Sequence, residues 1–228
     1  RPPSDLHGTL RHYQEAGLSW LWFLYRHGLS GVLADDMGLG KTVQALALLL
    51  HRAKLGPQTV LCPTSVAFNW VDEAKRFAPS LKLHLDRPTR KLGPGDLLVT
   101  SYGIATRGVA RLEGTRFATL VLDEAQALKN AATQRARAAR RLKADFTVAL
   151  TGTPLENHLG ELWSLFRIVL PELFGGWDAF RDQFAIPIEK GIDPAAPARL
   201  SGLLRPFVLR RTKAQVAPEL PPRTDVRV

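Results

Sequence analysis

The sequence predicts a doubly wound α/β fold, a parallel sheet with helices on both faces. Three observations predict it. Short apolar runs alternate with helical patterns from residue 10 to residue 157. Strands of that kind are buried on both faces, as in parallel sheets covered by helices. One junction, Asp35-Asp36-Met37-Gly38-Leu39-Gly40-Lys41-Thr42, places phosphate chemistry between a strand and a helix, where open α/β sheets bind ligands. Apolar residues make up 45% of the 228, which is ample for a core and excludes global disorder.

The elements follow in order. Apolar positions at Leu10, Tyr13, Leu18, Trp20, Leu21, Phe23 and Leu24 predict a buried helix over 10–27. A first strand over 31–34 enters the phosphate turn, and a helix over 43–52 leaves it. A second strand over 59–62 is ended by Pro63. An amphipathic helix over 65–78 turns Val66, Phe68, Trp70, Val71, Ala74 and Phe77 inward. Strands are expected over 81–85 and, after the turn-prone Gly93-Pro94-Gly95, over 96–100. Residues 118–122 form a continuous apolar strand. A basic helix over 131–143 follows, with Asn130 as its N-cap, and a further strand over 146–150.

After residue 157 the alternation stops. Residues 159–204 read as helices broken by Pro171, Gly175-Gly176, Pro187 and Pro194. A returning strand is expected over 206–210, and Pro221-Pro222 leads towards the end. The expected division is a nucleotide-binding lobe over 1–157, a helical insertion over 158–204, and a returning strand with an exit linker over 205–228.

Three groups of residues carry chemistry. In the phosphate turn, backbone N–H groups of Asp36, Met37, Gly38, Leu39 and Gly40 and the helix N-terminus suit a phosphate. Lys41 would neutralise the terminal phosphates, and the Thr42 hydroxyl would take a position on Mg2+. Asp35 stands where the common pattern G-x-x-x-x-G-K-[ST] has glycine. The second group is Asp123-Glu124, at the C-terminal end of an apolar strand. Asp123 can hold the magnesium through water, and Glu124 can polarise the water that attacks the terminal phosphate. The third is Thr151-Gly152-Thr153, at another strand end. Its hydroxyls could sense the terminal phosphate, or they could merely decorate a Gly-Pro turn.

Composition narrows the partners. Thirty-one basic residues against 21 acidic give a net charge of +10, which suits a polyanion such as nucleic acid. A single cysteine, Cys62, rules out an internal disulfide. The six histidines show no ligand spacing with it, which argues against zinc. The longest apolar run, 45–50, is too short to span a membrane, and no signal peptide is visible. The chain opens on Arg1 rather than Met, as expected of a piece of a longer protein. Arg135, Arg137, Arg140, Arg141 and Lys143 form either a solvated helix face or an added nucleic-acid stripe. The tryptophans at 20, 22, 70, 163 and 177 sit in apolar surroundings and read as core.

Taken in order, these groups resemble the N-terminal RecA-like lobe of Swi/Snf-type ATPases, within helicase superfamily two. The resemblance covers nearly the whole chain. Leu10-Arg11-His12-Tyr13-Gln14, Gly17 and Trp20-Leu21 are similar to the family's opening motif, and 35–42 to its phosphate motif. Pro63 with Asn69 and Trp70, and Thr100-Ser101-Tyr102-Gly103, resemble the next two. Asp123-Glu124-Ala125-Gln126 with Leu128-Lys129-Asn130, and the run 150–157, resemble the two that follow. Glu161-Leu162-Trp163-Ser164-Leu165-Phe166, Leu204-Arg205-Pro206-Phe207 and Leu209-Arg210-Arg211-Thr212-Lys213 favour this family over RNA helicases.

The resemblance implies a RecA-like parallel sheet, with ATP and Mg2+ as cofactors. It implies that Gln14 reads the adenine edge and that Gly38, Gly40, Lys41 and Thr42 hold phosphates and metal. Asp123 and Glu124 do the metal and water work. Gln126, where many members have His, couples hydrolysis to nucleic acid, and Thr151, Gly152 and Thr153 link nucleotide to DNA. Pro63, Thr64, Thr100, Ser101 and Lys129 lie in motifs that contact a phosphate backbone. The implied activity is that of the first motor lobe of an ATP-dependent double-stranded DNA translocase that remodels protein–DNA complexes. The implied partners are double-stranded DNA, a DNA-bound protein target and a second RecA-like lobe, absent from these residues, which supplies arginine fingers. Alone, the lobe is expected to bind ATP weakly and turn over poorly. Its expected place is the bacterial cytoplasm at the nucleoid, or the nucleus in a eukaryote. The alternatives are a strand-separating superfamily-two helicase on DNA or RNA, and a non-catalytic nucleic-acid-binding module.

Overall fold

The computed structural model describes residues 1–88, 90–153 and 158–216. Helix α1 (His12–Arg26) precedes strand β1 (Gly31–Leu33), helix α2 (Lys41–Arg52), strand β2 (Gln58–Cys62) and helix α3 (Thr64–Phe77). Strands β3 (Lys82–Leu85) and β4 (Asp96–Ser101) lead to helix α4 (Tyr102–Leu112), a short β5 (Arg116–Phe117) and β6 (Thr119–Leu122). Helix α5 (Gln134–Arg141), a short β7 (Lys143–Ala144) and β8 (Thr147–Leu150) follow. Helices α6 (Leu159–Val169), α7 (Trp177–Phe180), α8 (Ile186–Glu189) and α9 (Ala196–Leu204) come next, then β9 (Val208–Leu209) and α10 (Lys213–Val216).

Seven strands form one sheet in the order β3-β4-β2-β6-β8-β1-β9, and every recorded pairing is parallel. Alternation along each strand makes two cores. Val60, Cys62, Val121, Val148 and Leu150 face one side, with α1, α2 and α3. Leu61, Leu120, Leu122, Ala149 and Val32 face the other, with α4, α5 and α6. Burial on both faces explains why these strands read as unbroken apolar runs. Cys62 lies inside this packing, and burial pushes its thiol up to about 12, so it is an inert core residue.

Several expectations are corrected. Helix α4 follows β4 directly, because the Ser101 hydroxyl caps it by accepting from Ile104 N at 3.2 Å. Gly103 and Gly108 dilute its pattern in the sequence. The basic helix is shorter than 131–143. Thr133, not Asn130, is its N-cap and accepts from Ala136 N at 3.3 Å. Asn130 instead closes a turn, accepting from Ala132 N at 2.9 Å. At the other end, Lys143-Ala144 leaves the helix to pair with β5. Along α3, Ala67, Trp70 and Ala74 are buried, and Val66, Val71 and Phe77 pack against the same core. Phe68 falls off that face and is 69% exposed. Only Trp70 of the five tryptophans is fully buried, and Trp177 lies on the surface against the edge of Trp163.

The helices over 159–204 do not stand apart. Leu162, Leu165 and Phe166 of α6 share one apolar cluster with Val32 and Leu122 of the sheet. Strand β9 pairs with β1, at Val32↔Val208 and Leu33↔Leu209, and closes that edge.

The first residue of β4 anchors the chain before it. Asp96 is buried and accepts from Arg90 at 2.6 and 2.8 Å, from Gly93 N at 2.7 Å, and bonds His84 at 3.1 Å. Burial alone would raise its carboxyl, but the Arg90 guanidinium, the Gly93 N–H and His84 together hold it well below the ordinary carboxylate range. A depressed carboxyl stabilises the fold above its unfolded pKa, about 3.9, and that contribution fades as pH falls towards the folded value. Asp96→Asn is therefore expected to destabilise by roughly 1–3 kcal/mol at pH 7, the cost of leaving its donors unpaired. The deficit should narrow below about pH 4. Thermal melts of both proteins from pH 7 to pH 3 check this.

Candidate active site

Every strand of the main sheet points the same way, so the C-terminal ends share one edge. The order along it is β2, β6, β8, β1, β9. Pro63-Thr64 leaves β2, Asp123-Glu124 leaves β6, Thr151 leaves β8, Asp35 follows β1, and Arg210-Arg211 follows β9. Neighbouring strands lie about 4.8 Å apart. The acid pair and the phosphate turn are thus two strands apart, with Thr151 between them.

The phosphate turn is shaped by its glycines and by α1. Gly40 is the N-cap of α2, with φ +74° and ψ 44°. A β-carbon there would be strained and would come to 2.4 Å from the Gln14 amide nitrogen. Gln14 is buried, donates to Leu39 O at 3.2 Å and accepts from Arg11 N at 2.9 Å. The amide expected to read the adenine edge therefore stands against the turn itself. Lys41 Nζ donates to Asp35 O at 2.7 Å and to Asp36 O at 3.3 Å. Burial lowers its ammonium from the ordinary lysine range, against the pull of Asp35, Glu124, Asp123 and Asp36. Those charges reach Lys41 from two strands' ends, so the first two motifs share one electrostatic site. Met37 and Gly38 are exposed, and Thr42 is half-buried in the first turn of α2.

Asp123 is held on three sides. Trp70 Nε1 donates to its Oδ2 at 2.7 Å, Glu124 N to its Oδ1 at 2.9 Å, and the Tyr102 hydroxyl to its carbonyl at 2.8 Å. Burial raises its carboxyl above the ordinary range, while the Trp70 and Glu124 hydrogen bonds oppose the rise. Burial also drives the Tyr102 phenol well above its ordinary range, so it stays a donor. The sequence reading placed Trp70 and Tyr102 in motifs of the DNA-contact kind. Their role in orienting Asp123 was missed, since no local spacing links α3 or α4 to the end of β6.

Glu124 adopts a left-handed conformation, φ +47°, at a cost of order 1 kcal/mol for a residue with a β-carbon. Gln126 Nε2 donates to Glu124 Oε2 at 2.5 Å, and the Thr151 hydroxyl donates to Gln126 Oε1 at 2.9 Å. The Thr151 and Thr153 hydroxyls lie 2.9 Å apart, and Thr153 N donates to Thr151 Oγ1 at 3.2 Å. An unbroken chain of hydrogen bonds thus runs from Glu124 to Thr153. Gly152 completes the approach: a β-carbon there would come to 2.9 Å from Met37 Cγ. The rest of that motif, 154–157, lies outside the described residues.

The residues expected at a phosphate backbone divide. Thr64 and Lys129 are exposed and Pro63 half-buried, with Lys129 paired to Glu161 at 3.2 Å. Thr100 is fully buried, with its hydroxyl unpartnered. Ser101 is buried and occupied as the cap of α4. Neither side chain is open to a DNA backbone here, because β4 is an interior strand and its end turns straight into a helix.

Asp35, in the place of the usual glycine, is fully buried. Arg211 grips it from β9's end, with Nε to Oδ1 at 2.9 Å and Nη2 to Oδ2 at 2.5 Å. The sequence singled out both residues without joining them.

The chain is similar to known proteins over nearly its whole length. The profile of the SNF2-related domain matches residues 13–228. A candidate ATP-dependent helicase/translocase of Bacillus subtilis, YwqA, is 42% identical over 233 residues, covering 96% of this chain and 25% of its own length. The human SWI/SNF-related matrix-associated actin-dependent regulator of chromatin subfamily A member 1 is 39% identical over 236 residues, covering 97% of this chain and 23% of its own. The solved Sulfolobus solfataricus SWI2/SNF2 ATPase core in complex with double-stranded DNA superposes with a TM-score of 0.90 at 39% identity, covering 97% of this chain and 48% of that one. The chain thus spans about a quarter of these curated relatives and about half of the solved core.

Proposed function

The chain belongs to the SNF2-related domain family, and from that premise we propose that it is the ATP-binding first motor lobe of a DNA-dependent ATPase that translocates on duplex DNA and remodels protein–DNA complexes. One observation carries the reading above all. Lys41 and the acid pair Asp123-Glu124 share one electrostatic field at one sheet edge, and a hydrogen-bond chain runs from Glu124 through Gln126 and Thr151 to Thr153.

The roles follow from that geometry. The turn over 36–42 receives the phosphates on Lys41 and on its N–H groups, apart from those of Asp36 and Leu39, which donate within the fold to Arg211 O and Asp36 O. No cluster of three metal-ligating side chains occurs among the described residues. One carboxylate and one hydroxyl, Asp123 and Thr42, fit magnesium, which takes few protein ligands and completes its shell with phosphates and water. When bound, that ion would neutralise charge on the phosphates. Glu124 orients and polarises the attacking water. Gln126 reports the state of Glu124 to Thr151 and Thr153. Gln14, with its amide against the turn, lies on the adenine side. Pro63, Thr64 and Lys129 are the candidate contacts to the DNA backbone, which position without reading sequence. No helix among the described residues is long and apolar enough to cross a membrane.

Lys41→Ala tests the nucleotide site. Removing charged hydrogen bonds to phosphate is expected to weaken ATP binding by at least about tenfold to a hundredfold. Calorimetry on the full-length protein reads it. Unchanged ATP affinity in the variant would remove the site assignment.

A further inference from the structure

The segment after β9 grips the phosphate turn along its length. Ala34 N donates to Leu209 O at 2.7 Å, and Asp36 N to Arg211 O at 3.0 Å. Arg211 N donates to Asp35 Oδ1 at 3.1 Å, and Lys213 N to Asp36 Oδ2 at 2.9 Å. The Arg211 side chain forks onto both Asp35 oxygens. It also donates to the Tyr13 carbonyl and to Gln44 Oε1, the latter at 2.9 Å. It is 13% exposed and Asp35 is fully buried. One guanidinium thereby ties α1, the phosphate turn and α2 to β9. Two residues on, the exposed Lys213 lies over Gly38: its Nζ is 3.9 Å from where a β-carbon of Gly38 would stand.

We propose that Arg211 and Lys213 belong to the nucleotide site. Arg211 is a positioning residue. Its pair with Asp35 holds the turn in the shape that receives phosphates, in place of the backbone freedom that a first glycine supplies elsewhere. Lys213 is a second cation at the turn, beside Lys41, placed to reach a nucleotide's phosphates across Gly38. A planar, bidentate guanidinium suits the first task, and a mobile ammonium on a flexible stem suits the second. The proposal rests on the reading of 36–42 as a nucleotide site.

Full-length protein is titrated with ADP and with ATP. Lys213→Ala, at an exposed position, is expected to lose about tenfold in affinity for both, with an unchanged melting temperature. Lys213→Arg restores most of it. Arg211→Ala alone strands a buried carboxylate and endangers folding. The neutral pair Asp35→Asn with Arg211→Met, of similar volume, is used instead. It is expected to melt cooperatively and to raise KM for ATP about tenfold, with a smaller change in kcat. If Lys41→Ala loses nucleotide while Lys213→Ala and the neutral pair bind ADP as the wild type does, the proposal is overturned and the site stands. If Lys41→Ala also binds normally, both fall.

Discussion

Replacing Glu124 by Gln is expected to leave ATP binding intact and to slow hydrolysis by about 10²- to 10⁴-fold, the range for a lost general base. The amide keeps the shape of the carboxylate. It can still accept the hydrogen bond from Gln126, so the chain to Thr151 and Thr153 stays formed. What it loses is the charge that polarises the attacking water. Asp123 keeps its bonds from Trp70 and Tyr102, so the metal-side carboxylate is undisturbed. Single-turnover hydrolysis in the full-length protein, beside ATP affinity by calorimetry, separates binding from chemistry. Turnover near the wild-type rate would show that Glu124 does not activate the water.

Much of the architecture was legible because parallel strands announce themselves. All seven strands of the main sheet coincide with strands expected from the sequence, β3 from its alternation and the others from apolar runs, including the short β9. The phosphate turn was legible because its chemistry is local: two glycines, a lysine and a threonine within five residues. Helix α4 was not, because its two glycines mask a helical pattern that Ser101's cap and packing against Asp123's strand sustain. The inward face of α3 was overestimated because a helix buries only a stripe, and Phe68 lies beyond it.

The supports of the site were hidden for a different reason. Trp70 reaches Asp123 across 53 residues, and Arg211 reaches Asp35 across 176. Such pairs are set by strand order, which periodicity does not disclose. A faint signal existed at Asp35, an acid where the phosphate pattern has glycine, because a buried carboxylate at such a place demands a cation.

The second large expected effect concerns what this lobe lacks by itself. On the proposed function the sheet edge is one wall for ATP, with Gly38 and Met37 exposed. We propose that a second lobe closes over that wall and brings arginine to the transferred phosphate. Arginine fingers contribute about 10³- to 10⁵-fold in analogous ATPases. Residues 1–228 alone are therefore expected to bind ATP weakly and turn it over at least about a thousandfold more slowly than the protein with its natural continuation. Duplex DNA should scarcely change the slow rate, since the chain from Glu124 to Thr153 then has no partner surface to act on.

We propose that Lys41, Asp123 and Glu124 form half of a DNA-stimulated ATP site. Steady-state ATP hydrolysis, measured with and without duplex DNA on residues 1–228 and on the longer protein, tests it most directly. Strong stimulation by DNA is expected in the longer protein, and a slow, nearly DNA-independent rate in the lobe alone. Equal rates and equal DNA responses in the two would contradict it.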